Sequence, residues 1–212
     1  MKTQDLFQAY EFLADKADGA FGEMQERHGS CIKCSPKCAD CCHAVFGLFL
    51  IEAAYIKQQF DRLPSEAKKE ILFSIQETER GLRRLESKMR ANEGDPDMQA
   101  QILATERVKC PLLNSENECS LYDHRPITCR VYGIPTRIQG KARVCGKAGF
   151  EKGGSYPAFD LDSVYRDLFE LSKELLARLE EEEMEKASLL VSLSKAIVTP
   201  IESLVREDLE QR

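Results

Sequence analysis

With 212 residues and a net charge of −6, the chain is long enough to bury a hydrophobic core without disulfide staples. The negative balance argues against broad nucleic-acid binding. No apolar run approaches the ~20 residues needed to span a bilayer; the longest, Ala44 to Ile51, is far too short. The N-terminus, M-K-T-Q-D, lacks the apolar core of a signal peptide. The expectation is a cytoplasmic protein that meets neither nucleic acid nor membrane.

The first predicted element is a helix from Thr3 to Arg27. Leu6, Tyr10, Leu13, Ala17, Phe21 and Met24 recur at spacings of three and four and give it one apolar face. Thr3 is its candidate N-cap, and Gly29 and Ser30 end it. His28 at that junction reads as a surface residue that suits the negative end of the helix dipole.

Next comes C-I-K-C-S-P-K-C-A-D-C-C, residues 31–42, which holds five of the nine cysteines in twelve residues. Pro36 and the short spacings suit turns that wrap a metal. His43 follows directly, as a ligand or as a group behind the ligands. The stretch H-A-V-F-G-L-F-L, residues 43–50, is expected to be buried beside the cysteines. Glu52 to Phe60 then reads as a helix with Ala53, Ile56 and Phe60 inward.

Pro64 suits the first turn of a further helix. In it Ile71, Ile75, Thr78, Leu82, Leu85 and Met89 form a heptad-like seam. The seam is short, so a helix within a bundle is expected rather than a free coiled coil. Asn92 and Gly94 stop it, and Asp95-Pro96 caps a helix that runs to about Arg107. From Cys110 to Phe159 the chain is rich in Pro, Gly, Cys and Arg with no sustained period, which predicts an irregular segment organised by a metal. The helical pattern returns at Asp160 with the stripe Val164, Leu168, Leu171, Leu175 and Leu179. Glu180 to Glu183 reads as a solvated face, and Leu189 to Val198 is apolar enough to be buried or to meet a partner. Thr199-Pro200-Ile201-Glu202 has the pattern of a capping box for a last short helix. The predicted fold class is mainly α: a helical bundle with an irregular cysteine-rich metal-binding segment. A single domain is expected over 1–212, with the cysteine-cluster region at 31–147 and C-terminal helices at 160–212.

In a reducing compartment, clustered cysteines point to metal binding or catalysis more than to disulfides, and an odd count fits disulfides poorly. Four thiolates per site is the usual provision for zinc or for an iron–sulfur cluster, with at least one pair two residues apart. Cys31/Cys34 and Cys38/Cys41 have that spacing. Adjacent Cys41 and Cys42 are awkward on one zinc ion, which suggests two centres, a cluster, or one bystander. Cys110, Cys119, Cys129 and Cys145 supply four more thiols in the irregular segment. Between Cys110 and Lys147 six bases face three acids, so this segment carries +3 and the remainder −9. That bias either is surface variation or offsets the charge of thiolate ligands. Arg125 and Arg130 flank Cys129 and are the candidate cofactor-binding residues, as donors to cluster sulfurs or to a carboxylate or phosphate. The alternative is that they pair with Asp123 and hold the loop. Tyr122 and Tyr132 are expected to pack over the site.

The pattern Cys34-x3-Cys38-x2-Cys41-Cys42, followed by CPLLNSENECSLYDHRPITCRVYGIP from Cys110 to Pro135, resembles the bacterial CxxCxxCC (YkgJ-like) cysteine-cluster family, described as a zinc- or iron-chelating domain. The resemblance covers about Cys34 to Cys145. It implies metal ligands at Cys34, Cys38, Cys41, Cys42, Cys110, Cys119, Cys129 and Cys145, enough for two four-thiolate sites, with Cys31 extra. A similar module accompanies flagellin lysine methylation in some bacteria, so the resemblance implies chelation more firmly than any reaction. The leading expectation is a metal-binding protein with one or two iron–sulfur or zinc centres, iron–sulfur preferred, in a redox or modification-support role. The alternative is a structural zinc module of an interaction protein whose partner meets the C-terminal helices. An enzyme ranks last. The spacing Cys34-x3-Cys38-x2-Cys41 matches that of radical S-adenosylmethionine enzymes, but the parallel β/α framework is missing, and no Gly-rich nucleotide loop follows a strand.

Overall fold

A computed structural model describes residues 3–181 and 183–206. Among them are eight α-helices and one small sheet, so the chain is mainly helical, as its periodicity predicts. Helix α1 (Gln4–His28) buries Leu6, Tyr10, Leu13, Ala17 and Met24, the predicted stripe, with Phe7 and Ala14 beside it. Phe21 is only partly buried against the same core. Thr3 stands at the N-cap position but its hydroxyl makes no capping bond. His28 is not left to solvent; its ring meets Tyr156 edge-on at 5.3 Å.

Helix α2 (Leu50–Asp61) is buried on both sides, because two apolar cores meet on it. Leu50, Ile51, Ala54 and Tyr55 belong to the core built with α1 and α6 (Leu161–Arg178). Ala53, Ile56 and Phe60, the predicted inward set, belong to a second core with Ile71 and Ile75 of α3 (Ser65–Ala91) and Ala196 and Ile197 of α7 (Leu193–Val198). Pro64 is the N-cap of α3 rather than its first residue. α3 buries Ile71, Ile75, Thr78 and Leu85 of the predicted seam, plus Gly81. Asp95 caps α4 (Pro96–Thr105) by accepting the Met98 N–H at 3.0 Å. α4 buries none of its residues, and Leu103 is exposed.

The irregular segment contains more regular structure than its composition suggests. It includes the one-turn helix α5 (Ile127–Arg130) and strands β1 (Thr136–Ile138), β2 (Lys141–Arg143) and β3 (Phe159–Asp160), in the order β2-β1-β3. β1 runs antiparallel to β2, with Thr136 opposite Arg143, and parallel to β3. The hairpin turns at Gln139 and Gly140, both at positive φ, which is the demand of a two-residue primed turn. The Asp162 carboxylate at the start of α6 accepts both their N–H groups.

Glu180–Glu183 is not a uniformly solvated face. Glu181 is largely buried against the Lys186 ammonium, which also pairs with Glu183 and donates to the Val205 carbonyl. Glu182 and residues 207–212 lie outside the described residues. Of the C-terminal stretch, Ala196 and Ile197, and Leu204 and Val205 of α8 (Ile201–Arg206), are spent on the two cores, while Leu190 and Val198 stay exposed. No helix among the described residues is long and apolar enough to cross a membrane.

Candidate metal centre

Backbone hydrogen bonds stitch the early and late cysteine segments together. The Cys110 N–H donates to the Cys42 carbonyl at 2.7 Å, and the Val108 N–H to the His43 carbonyl at 3.1 Å. Farther out, the Gly149 N–H donates to the Cys31 carbonyl at 2.7 Å. Helix α3 holds this seam from outside. Thr78 Oγ1 donates to the Lys109 carbonyl at 2.8 Å. Gly81 lets the helix approach Val108 closely, since a Cβ there would lie 2.8 Å from Val108 Cγ1.

The late cysteines reach the seam on a tight scaffold. An Asn114 turn, whose side chain accepts the N–H groups of Glu116 and Glu118, folds Leu113 against Cys119 in a β-bridge. Cys110 and Cys119 thereby face the same way, against the second core. Cys129 comes on α5, whose first N–H, from Ile127, donates to Glu52 Oε1 of α2. Oε2 of the same carboxylate accepts the Phe49 N–H. Burial pushes the Glu52 carboxyl up to about 7.

Five thiols, Cys41, Cys42, Cys110, Cys119 and Cys129, line one cleft of about 70 Å³, together with Phe46, Val108, Leu112 and Leu193. Burial raises the thiols of Cys110, to about 12, of Cys119 and of Cys129. In Cys110 and Cys119 that rise is opposed by backbone N–H groups two residues on, at Leu112 and Leu121. Such donors favour a thiolate. The neighbouring thiols of Cys41 and Cys42 act on each other, which lowers Cys41 and raises Cys42.

Cys31, Cys34, Cys38 and Cys145 lie outside this cleft, and Asp40 contacts Cys145. Cys145 Sγ donates to Asp40 Oδ2 at 3.3 Å and accepts the Lys147 N–H at 3.4 Å. Cys34 is exposed and is raised to about 11, by burial of its thiol and then by the neighbouring Cys38, Cys145, Cys41 and Asp40. Its sulfur fits only because residue 133 is glycine, where a Cβ would lie 2.3 Å away. All nine cysteines are free thiols. Among the described residues no three Cys, His, Asp or Glu side chains are drawn in to metal-holding distance.

The flanking residues divide by what they touch. Arg125 lines the cleft, stacks over Tyr122 and pairs with Asp18 at 3.1 Å. Arg130 is buried; it pairs with Asp18 and donates to the Arg125 and Asp123 carbonyls. The acid that holds both arginines is thus Asp18 of α1, while Asp123 contributes its backbone. The His43 ring contacts the Ala39 carbonyl at 2.9 Å. Tyr132 lies against Arg107, and Tyr122 is largely exposed.

Residues 33–146 match the family model of the CxxCxxCC domain, described as a "putative zinc- or iron-chelating domain". That is just over half of the chain. The chain belongs to the CxxCxxCC family. Comparison with curated proteins and with solved structures finds no match. The matched span of the CxxCxxCC domain includes the long α3–α4 excursion between its two cysteine blocks and ends one residue beyond Cys145. Sequence reasoning missed Glu52 and Asp40. The only signals were a single carboxylate inside an apolar run and an acid between two cysteines.

Proposed function

We propose that the CxxCxxCC domain of this protein holds two metal centres on eight cysteines and that the inner one is an iron–sulfur cluster used for electron transfer. The observation that carries this reading is the cleft lined by Cys41, Cys42, Cys110, Cys119 and Cys129. A structural zinc site closes tightly around one ion with four ligands. Five thiols around open space suit a multi-atom cluster better, and four of them suffice to hold it. The donor chemistry fits: buried thiols raised by desolvation need a compensating cation to ionise, and soft thiolates suit iron and zinc alike.

When bound, such a cluster supplies one-electron exchange. The chain's own part is to exclude water, through Phe46, Leu112 and Leu193, and to direct N–H groups at the sulfurs of Cys110 and Cys119. Both features tune a cluster's potential. Arg125, on the cleft wall, adds a positive charge there.

The test is iron and acid-labile sulfide analysis with visible absorption on anaerobically purified protein, beside a Cys110→Ala/Cys129→Ala variant. Iron and sulfide in comparable amounts, lost in the variant, are expected. A colourless wild-type protein holding only zinc, or no metal, contradicts the reading.

A further inference from the structure

The cleft wall reaches the protein surface through a pair of stacked side chains. Arg125 lines the cleft, and its guanidinium lies 4.2 Å over the Tyr122 ring, which is 61 % exposed. We propose that the surface around Tyr122 docks a one-electron carrier with a basic contact face, and that electrons pass between cleft and carrier by way of Arg125 and Tyr122. The inference rests on the reading above in one respect, that the cleft holds a redox centre. The step balances: the reduced centre gives up one electron, the carrier gains it, and no bond or proton changes place.

The stacked pair is held in place. The Arg125 guanidinium pairs with Asp18 at 3.1 Å and donates to the Tyr122 carbonyl at 3.0 Å, so the ring has a fixed cation against one face. A tyrosine supported this way offers a partner a large contact at low entropic cost, and Tyr and Arg are enriched where proteins meet. A carrier seated on the ring is separated from the cleft by two stacked side chains.

Charge decides which carrier fits. Helix α1 sets Glu11, Asp15 and Asp18 at spacings of four and three, on one face. That face is tied to the Tyr122 loop at both ends. The Tyr55 hydroxyl lies 2.9 Å from both Glu11 Oε1 and His124 Nδ1, and Asp18 holds Arg125. Asp15, between them, is exposed, as are Asp123, Glu116 and Glu118 on the loop's own side. Against these six acids stand Lys16, Arg62, Arg125 and Arg130, which leaves −2. The exposed bases of residues 141–152 give the opposite sign, with Lys141, Arg143, Lys147 and Lys152 against Glu151. A basic carrier is steered toward the first surface and away from the second. Small interfaces are usual for such redox encounters.

Cytochrome c, a basic one-electron carrier, is the probe. Protein reduced with dithionite and then desalted is mixed with ferric cytochrome c, and haem reduction is followed by stopped flow at low and at high salt. Calorimetric binding of cytochrome c to the oxidised proteins is a readout independent of electron flow. Asp15→Lys/Glu116→Lys should lower both rate and affinity about tenfold at low salt. Glu93→Lys/Asp97→Lys makes the same change of charge at exposed positions between α3 and α4 and should lower each by less than about twofold. High salt should close the gap. Tyr122→Ala should slow transfer at either salt concentration, and Tyr122→Phe, which keeps the ring, should hold the wild-type rate. Equal losses in the two charge variants, or a Tyr122→Ala rate equal to that of wild type, would overturn the proposal. Iron and sulfide are measured on every sample. Their absence from wild type sinks the reading above and this one with it, whereas their presence beside unaltered rates in the variants sinks this one alone.

Discussion

Replacing Glu52 by glutamine should flatten the pH dependence of stability and make the two proteins' stability curves cross. The carboxyl is buried, 3 % exposed, and burial raises it from 4.5 to about 7 in the folded protein. Below pH 4.5 it is protonated in both states and carries no penalty. As pH rises toward 7, the unfolded chain ionises first and folding loses free energy; above 7 the loss is complete. The shift corresponds to roughly 3 kcal/mol. Glutamine cannot ionise, so it escapes that loss, but its amide nitrogen cannot accept both the Ile127 and Phe49 N–H groups. That mismatch costs on the order of 1–2 kcal/mol at every pH. The variant should therefore be less stable than wild type near pH 4.5 and more stable, by about 1–2 kcal/mol, near pH 8. Urea denaturation followed by circular dichroism across that range, with both proteins in the same metal state, measures it. Thiol titrations are common to both proteins and cancel in the difference. Parallel curves would refute the argument that Glu52 is a desolvated acid bridging α2 to the helix that carries Cys129.

Gly133→Ala should cost little stability, because the clashing atom is the mobile sulfur of Cys34. It should still displace that sulfur and lower the metal content of anaerobically purified protein, measured alongside thermal melting. Asp18→Asn removes the carboxylate that pairs with buried Arg130 and with Arg125. Losing a fully buried partner costs about 3–5 kcal/mol; Asp18 is 41 % exposed, so a loss of about 1–3 kcal/mol is expected in urea denaturation. Metal loading at pH 7 should release protons into weakly buffered solution, because burial holds Cys110, Cys119 and Cys129 protonated until a cation arrives. Chelation should speed amide exchange across residues 110–148 while α1 and α6, which share the larger core, keep their protection.

The helices were legible wherever burial follows the helical period. The stripes of α1 and α6, the seam of α3 and the Asp95-Pro96 cap each need only neighbours within a turn. The double-sided burial of α2 was not, because Leu50, Ile51 and Ala54 face a core contributed by α1 and α6, far away in sequence. The partnership of Arg125 and Arg130 with Asp18 spans 107 and 112 residues. Nothing local distinguishes Asp18 from the other acids of α1, whereas Asp123 was the near and obvious candidate. The hairpin at 136–143 has three-residue strands, too short for alternation to register. At the cysteine centre, residue type and spacing announced that thiols matter and that early and late ones belong together. They could not announce that Cys41 and Cys42 face one cleft with Cys110, Cys119 and Cys129 while Cys31, Cys34, Cys38 and Cys145 lie outside it. That division depends on the Cys42–Cys110 backbone bond and on the missing side chain at Gly133.

Anomalous diffraction at the iron edge, from crystals of anaerobically prepared protein, asks most directly whether sulfurs from residues 31–42 and 110–145 hold the same metal. The expected map has an iron peak in the cleft within about 2.3 Å of sulfurs from both segments. Iron bonded to sulfurs of one segment alone, or none in the cleft, would contradict it.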